Sequence, residues 1–349
     1  MQLHTVTRHI PHHAGHSGYD QLARYAGKPV RVPRWVTAIR GAGFIHRYFR
    51  KRSGMEWYDG LYQELFTALH MQSHSKGLYH FLFVENHFRY LPALVRKGKH
   101  RVIGTFHATG DEFGRIMRRQ DHFNWLDFAV VVSQCQLPHM EALLGKDKVF
   151  FVPHGVDTEY FTPGSEEKSG EIKSCLCVGH HHRDFAALCE TAKLVKNEDP
   201  AVRFTVVDRV FSVYLSLEEQ NHFRKRFTEA GNIELRTDLT DDELLELYRS
   251  SDLLVLPLFD ATANVALLES LSCGLPAVIT DVGGVRDYAD ESCSGFASPQ
   301  DAQKMSALIL ELSGDPVRRQ KLSRAARERA LTFDWTRIVE QMQEVYARL

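Results

Sequence analysis

The sequence predicts an α/β protein of two doubly wound domains that face a cleft. Short apolar runs, typical of strands buried on both faces, alternate with amphipathic helical stretches. Strands separated by helix-length intervals require crossover connections and so form parallel sheets. The runs fall into two series of five. The first comprises LHTVT, LYHFLFV, RVIGTF, FAVVVS and KVFFVP, from Leu3, Leu78, Arg101, Phe128 and Lys148; the second comprises SCLCVG, VRFTVV, NIELR, DLLVLPL and PAVIT, from Ser174, Val202, Asn232, Asp252 and Pro276.

A polar segment between the two series predicts the domain boundary. Thr162–Ser174 contains proline and glycine and few apolar residues, as linkers do. We therefore expect an N-terminal domain over residues 1–160, a C-terminal domain over 161–333 and a closing helix over 334–349 that returns to the first domain. Ligands of open α/β sheets bind beyond the carboxyl ends of the strands, so two facing domains would hold a ligand from each side.

Composition is that of an ordinary globular protein and excludes several classes. The 349 residues are 44% hydrophobic and 25% charged, with a net charge of −1, which gives no general attraction to nucleic acid. No apolar run approaches the roughly 20 residues that span a bilayer, and the N-terminus lacks the pattern of a secretory signal. The six cysteines show no paired CxxC spacing, which favours reduced thiols. We expect a cytoplasmic protein.

The stretch Asp260–Gly284 carries the strongest functional signal. It follows the buried strand DLLVLPL, and small residues there allow a ligand close to the backbone. Asn264 is expected to cap a helix that ends before Gly274, and the N-terminus of such a helix binds a diphosphate well. Gly283, after the next strand, is also expected to admit ligand to the backbone. The donor-binding candidates here are Asp260, Thr262, Ala263, Asn264 and Val265.

Glu269 is a lone carboxylate between Leu268 and Leu271 on this helix. A carboxylate accepts two hydroxyl hydrogen bonds at once, which suits the vicinal hydroxyls of a ribose. A solvated helix carboxylate is the alternative.

The Asp260–Gly284 stretch resembles the donor-site signature of family 4 glycosyltransferases of the GT-B fold, in which Glu269 matches the second glutamate of the paired-glutamate motif. Phe151–Pro163, Thr240–Pro257 and Phe333–Leu349 are similar to further segments of that family, in the same order. Ala261, beside Asp260, stands where the family has its first glutamate, near the transferred sugar. The resemblance implies two Rossmann-like domains and sugar transfer with retention at the anomeric carbon.

The loop VGHHHRDF occupies the place where that family binds pyrophosphate through basic residues. His180 is nearest the family's arginine position, and Arg183 is the permanent cation of the loop. Arginine can bind two phosphate oxygens at once, so both residues are donor-binding candidates and Arg183 is also a catalytic one. Pairing of Arg183 with Asp184 or Glu190 is the alternative.

The first domain offers a glycine loop rich in histidine. Gly15 and Gly18 are donor-binding candidates because glycine permits close backbone approach. The histidines of this loop have no metal-ligand spacing, so no metal is expected; they are His9, His12, His13 and His16.

Two strand ends of the first domain provide catalytic candidates. His107 follows the strand RVIGTF, where the resemblance implies a histidine near the donor sugar; a core histidine bonded to the backbone is the alternative. Glu85 closes LYHFLFVE. It would orient an acceptor hydroxyl or cap the next helix.

The expected reaction moves a sugar from a nucleotide-diphosphate sugar to an acceptor hydroxyl without metal or other cofactor. Negative charge builds on the departing diphosphate, and Arg183, the amides of residues 262–264 and His107 would stabilise it. No Asp-x-Asp pair follows a first-domain strand. A dehydrogenase is excluded because no GxGxxG follows a strand, whereas a sugar-nucleotide epimerase and a catalytically silent sugar-nucleotide or lipid-binding module stay open.

A basic segment predicts a surface that binds membranes. Gln21–Met55 contains nine Lys or Arg residues and no acidic residue, with aromatic and aliphatic side chains interleaved. Such a surface binds anionic bilayers and would favour a lipid-linked or membrane-proximal acceptor. Alternatively, the cations are solvated or contact a phosphorylated acceptor, and the apolar residues belong to the core; these residues are Trp35, Phe44, Ile45, Tyr48 and Phe49.

Overall fold

The described part of the chain folds into two compact units. The computed structural model describes residues 1–7, 15–33, 36, 42–165, 172–208 and 216–349. The first unit contains the described residues of Met1–Ile10, Tyr19–His154 and Trp335–Leu349, and the second contains those of Pro11–Gly18 and Gly155–Asp334. Each unit has one parallel sheet with helices in its crossovers. The prediction of an α/β fold with two doubly wound, Rossmann-like domains is confirmed.

The first unit is built on a six-stranded sheet in the order β2-β1-β3-β4-β5-β6. Its strands are β1 (Leu3–Val6), β2 (Lys28–Pro29), β3 (Leu78–Phe81), β4 (Arg101–Phe106), β5 (Phe128–Val131) and β6 (Val149–Phe151). Its helices are α1 (Leu22–Tyr25), α2 (Ala42–Ser53), α3 (Leu61–Ser73), α4 (Val84–His87), α5 (Leu91–Leu94), α6 (Gly110–Ile116) and α7 (Leu137–Leu144). Short 3-10 helices lie at Tyr19–Gln21, Asp121–Trp125, Gln134–Gln136 and Lys146–Lys148.

The second unit repeats this plan with a sheet in the order β12-β11-β10-β7-β8-β9. Its strands are β7 (Ser174–Val178), β8 (Arg203–Val207), β9 (Ile233–Arg236), β10 (Leu253–Leu256), β11 (Ala277–Thr280) and β12 (Ser294–Ala297). Its helices are α8 (Phe185–Glu198), α9 (Leu217–Ala230), α10 (Asp241–Ser250), α11 (Val265–Ser272), α12 (Val285–Tyr288), α13 (Ala302–Gly314) and α14 (Pro316–Leu331). The central strands β10 and β11 are buried along their whole length because their side chains are apolar on both faces.

The ten expected strands are present, and each sheet has one strand more than the sequence predicts. The additional strands, β2 and β12, lie at sheet edges. β2 is two exposed residues long and includes Pro29, and β12 reads SGFA. An edge strand needs little apolar surface and tolerates proline and glycine. Neither sequence therefore shows the apolar run by which the other strands are recognised.

The C-terminal helix, α15 (Trp335–Ala347), belongs to the first unit, where it contacts α1. Trp335 is 1% exposed, and its ring centroid lies 5.7 Å from that of Tyr19 and 5.4 Å from that of His154. One face of the helix is buried and has the spacing of an amphipathic helix; its residues are Trp335, Ile338, Val339, Met342 and Val345.

We predict that a chain truncated before Asp334 has a lower melting temperature than the full chain. Each large apolar side chain on α15 contributes about 1.5–3 kcal/mol when buried, and a typical domain is stable by only about 5–15 kcal/mol. Thermal denaturation followed by circular dichroism measures the change. A chain that lacks only Leu349 is the control and should melt with the full chain. An unchanged melting temperature after the long truncation would show that the helix is dispensable.

Candidate functional site

The N-terminus of α11 lies directly beyond the carboxyl end of β10. The Asn264 side chain accepts a hydrogen bond of 3.1 Å from the amide of Leu267, so the predicted N-cap is confirmed. Thr262 and Asn264 are buried, while Asp260, Ala263 and Val265 are partly exposed. The first amides of the helix and the positive end of its dipole therefore lie beside a loop of small residues, which is an arrangement suited to an anion.

The loop before α11 packs tightly against the turn after β11. The amide of Gly284 donates to the carbonyl of Ala261 at 2.8 Å. Gly283 has φ +53°, and a Cβ there would lie 2.0 Å from that carbonyl oxygen. Contact with the protein backbone therefore already requires glycine at position 283, and a contact of this turn with ligand stays a prediction. Ala261 is 6% exposed, so the position of the family's first glutamate is a buried methyl group.

The Arg183 guanidinium lies close to the cap of α11. Its Nε and Nη2 donate to the carbonyl of Val178 at 2.9 and 2.7 Å, and Nη1 donates to the carbonyl of His181 at 3.1 Å. Nη2 also lies 3.5 Å from Oδ1 of Asn264. Burial lowers the pKa of Arg183 from its usual value. These contacts fix the guanidinium near the positive end of the helix, so the two features can act on one anion.

The alternative partners of Arg183 are engaged elsewhere or exposed. The Asp184 carboxylate accepts from the amide of Ala187 at 2.9 Å and caps α8. Glu190 is exposed on the same helix. A surface ion pair with either residue is therefore wrong.

His180 contacts a carboxylate that the sequence analysis did not single out. Its Nδ1 lies 3.3 Å from Oδ1 of Asp208, a fully buried residue directly after β8. β7 and β8 are neighbours in the sheet, so residues after these two strands meet at its carboxyl edge. The sequence could have identified Asp208 as a site residue, because it directly follows the strand-forming run VRFTVV.

Glu269 is buried, with 3% of its surface exposed, so the alternative of a solvated carboxylate is wrong. Its Oε2 accepts a hydrogen bond of 2.8 Å from the hydroxyl of Tyr248, and its Oε1 accepts one from the hydroxyl of Ser17. Burial and then the nearby Glu269 carboxylate raise the pKa of Tyr248 well above its usual value, which keeps the phenol a donor. Neither hydroxyl was identified from sequence as a partner of Glu269, since the two residues lie 231 positions apart in separate segments.

Residues 15–18 belong to the second unit, and protein side chains hold them there. The amide of Gly15 donates to Oδ2 of Asp241 at 2.6 Å. Nδ1 of His16 lies 2.7 Å from Oδ2 of Asp157, and its ring stacks on Tyr160 with centroids 3.8 Å apart. Gly18 has φ +90°, which favours glycine. The other histidines of this loop, His9, His12 and His13, lie outside the described residues.

His107, in the first unit, makes several contacts with protein. Its Nε2 lies 2.7 Å from the carbonyl oxygen of Leu82, to which it donates. Its ring packs at 4.8 Å from both Tyr19 and Phe83. The side chain is partly exposed. The hydrogen bond to Leu82 agrees with the alternative of a core histidine bonded to the backbone. The partial exposure of the ring agrees with a role near the donor sugar, so the role of His107 stays a prediction.

Glu85 is a buried carboxyl at the carboxyl edge of the first sheet, with 1% of its surface exposed. Its Oε1 accepts from the amides of His107 and Ala108 at 2.5 and 2.9 Å, so capping of the next helix is wrong. Its Oε2 is buried without a hydrogen-bond partner among the described residues. Burial, reinforced by Glu112 and opposed by the amides, raises the pKa of Glu85 to about 7. A carboxyl with such a pKa can exchange a proton near neutral pH.

We predict that Glu85→Gln gains stability relative to wild type as pH rises from about 5 to about 8. The raised pKa means that the folded protein keeps a proton that the unfolded chain has lost, so wild-type stability falls as pH rises through the folded pKa of about 7. Each pH unit between the ordinary glutamate pKa of 4.5 and the folded pKa of about 7 is worth about 1.4 kcal/mol, and the trend levels off above the folded pKa. Glutamine keeps the oxygen that accepts both amides.

Melting temperatures of wild type and Glu85→Gln across this pH range provide the measurement. Glu56→Gln, at an exposed glutamate of the same unit, is the control and should show no such trend. A difference between wild type and Glu85→Gln that is independent of pH would contradict the raised pKa.

Comparison with known proteins links the second unit to sugar transfer. Residues 176–329 match the model of the glycosyl transferases group 1. A D-inositol 3-phosphate glycosyltransferase of Nocardiopsis dassonvillei is 25% identical over 57% of this chain and 50% of its own. One from Thermobispora bispora is 32% identical over 34% of this chain and 28% of its own. The chain thus spans about half or less of the length of these curated relatives.

Solved structures show the same fold over the whole chain. Anabaena Alr3699/HepE in complex with UDP has a TM-score of 0.71 at 12% identity and covers 100% of both chains. A glycosyltransferase from Rickettsia africae has a TM-score of 0.69 at 14% identity and covers 99% of this chain and 98% of its own. The resemblance is supported at the level of a glycosyltransferase family; family 4 and retention stay predictions.

Proposed function

We propose that this chain is a glycosyltransferase that moves a sugar with retention from a nucleotide-diphosphate sugar to an acceptor hydroxyl, without a divalent metal. The observation that carries the proposal is the buried Glu269 carboxylate on the helix whose N-terminus lies beside Arg183. A hydroxyl-binding group and an anion-binding group on one short helix match the ribose and the diphosphate of such a donor.

The donor would bind through groups of the second unit. Glu269 accepts one hydroxyl hydrogen bond on each oxygen, so its surroundings already suit a hydroxyl donor such as that of a ribose. The diphosphate would contact the amides at the start of α11 and the Arg183 guanidinium. His180, Gly15 and Gly18 complete the set of proposed donor contacts. UDP is the first nucleotide to test because the HepE structure contains it.

The chemistry would depend on stabilising the leaving diphosphate. Negative charge grows there as the glycosidic bond breaks, so a fixed guanidinium and oriented amides stabilise the transition state more than the ground state. Both Glu85 and His107 lie at the carboxyl edge of the first sheet. Glu85 would orient the acceptor hydroxyl, and His107 would lie near the donor sugar and its leaving diphosphate. The pKa of Glu85, raised to about 7, suits a group that receives or returns the acceptor proton.

A second candidate function is a sugar-nucleotide-binding module without turnover. It is favoured by Ala261, whose buried methyl group replaces the carboxylate that the family places near the sugar. This candidate predicts donor binding without release of nucleotide.

We predict that Glu269→Ala weakens nucleotide binding by at least tenfold while the protein stays folded. Isothermal titration with UDP, GDP and ADP, preceded by a thermal-shift screen, measures the effect; a ligand at 100 times its dissociation constant stabilises by about 2.7 kcal/mol. Glu190→Ala is the matched control at an exposed glutamate of the same unit. Equal affinity of Glu269→Ala and wild type would remove the ribose role.

The same proteins test turnover and its metal independence. Release of nucleotide from the donor that binds should be slower in Glu269→Ala than in wild type and should proceed at the same rate with EDTA. Inositol 3-phosphate is the first acceptor to add, given the curated relatives. Binding without release favours the silent module, and activity that EDTA abolishes and Mg²⁺ or Mn²⁺ restores would refute the metal-free mechanism.

We also propose that α2 contacts an anionic membrane surface and that the acceptor is lipid-linked or membrane-proximal. Phe44, Ile45 and Tyr48 are 75%, 48% and 47% exposed, so the alternative that they belong to the core is wrong for these three. Phe49 is partly buried against the core, and Trp35 lies outside the described residues. The same helix exposes Arg47, Arg50, Lys51 and Arg52. No described helix is both long and apolar enough to cross a bilayer.

We predict that wild type sediments with liposomes containing phosphatidylserine at low salt and that binding weakens as salt rises. Each cation near such a surface contributes about 1 kcal/mol, so Arg47→Glu with Lys51→Glu should abolish sedimentation. Leu217→Ser, which removes a 77% exposed apolar residue of the second unit, is the control and should bind as wild type does. No sedimentation at low salt would end the membrane proposal.

A further inference from the structure

Ser17 makes the contact at Glu269 that a ligand hydroxyl would make. Its hydroxyl donates to Oε1 of Glu269, while the hydroxyl of Tyr248 donates to Oε2 at 2.8 Å. Ser17 is 7% exposed and Tyr248 is fully buried. The two hydroxyls lie on backbone of different kinds. Tyr248 lies within the helix α10, whereas Ser17 lies in residues 15–18, outside any helix or strand.

Polar contacts attach residues 15–18, here called the strap, to the rest of the second unit. One is the bond from the amide of Gly15 to Asp241, and another is the pair of His16 with Asp157, whose side chains are 38% and 12% exposed. His16 also stacks on Tyr160. Partly exposed polar contacts of this kind typically contribute about 1 kcal/mol or less each. The strap can therefore be released at moderate cost, which is not true of a residue within α10.

We propose that the strap is a gate at the donor site: Ser17 occupies Glu269 in the free protein, and a ribose hydroxyl of the donor nucleotide displaces it. The inference rests on the proposed function, since it assumes that Glu269 binds ribose. The exchange replaces one hydroxyl donor by another, so the buried carboxylate keeps its hydrogen bond throughout. The apparent affinity for nucleotide is lowered by the fraction of molecules in which the strap is closed.

Loosening the strap should tighten nucleotide binding. Ser17→Ala removes the competing hydroxyl, and we expect the dissociation constant for UDP, measured by isothermal titration, to fall about threefold to tenfold. His16→Ala acts at the attachment to Asp157 and should shift the constant in the same direction without touching Glu269. His16→Ala therefore also tests the gate if Ser17→Ala does not fold. Ser216→Ala, at the N-cap of α9, is the control and should leave the constant unchanged.

Amide hydrogen exchange gives a second readout. The amide of Gly15 is bonded to Asp241 in the closed strap, so saturating UDP should accelerate exchange there, and His16→Ala should accelerate it without nucleotide. If wild type binds UDP and neither Ser17→Ala nor His16→Ala binds it more tightly, the gate is overturned and the proposed function stays intact. If neither wild type nor the variants bind UDP, GDP or ADP, the proposed function and the gate both fail.

Discussion

The candidate site depends on parallel strand pairing. Parallel strands cannot be joined by a tight turn, so each must be followed by a crossover, and the loops after neighbouring strands meet at one edge of the sheet. β10, β7 and β8 are consecutive in the second sheet. This order brings Arg183, after β7, within 3.5 Å of Asn264, after β10, and His180 within 3.3 Å of Asp208, after β8.

Arg183, Glu85 and Glu269 carry charged groups away from water, and different partners stabilise each of them. The difference bears on function. Arg183 is held mainly by backbone carbonyls, which cannot move far without breaking the loop. Glu85 is held by two amides and adjusts through a raised pKa. Glu269 is held by two neutral hydroxyls. Since a sugar hydroxyl can replace a protein hydroxyl without loss of a hydrogen bond, Glu269 is the charge best suited to exchange partners with a ligand.

The two units carry different parts of the proposed chemistry. The second unit holds the hydroxyl-binding carboxylate and the anion-binding helix terminus, and it is also the part that matches a glycosyltransferase family model, over residues 176–329. The first unit holds the buried carboxyl Glu85 and presents the exposed basic and apolar side chains of α2.

The sequence by itself determined the two parallel sheets, the helix after β10 and its Asn264 cap, because these follow from local apolar runs and from a capping side chain three residues before its amide partner. It also marked Glu269 as unusual, a lone carboxylate among leucines. It missed β2 and β12, whose edge positions require no apolar run. Only the tertiary structure decided what Glu269 contacts, since Ser17 and Tyr248 lie 252 and 21 positions away from it. A hydrogen bond between such distant residues is set by how the chain packs, and no local pattern encodes it.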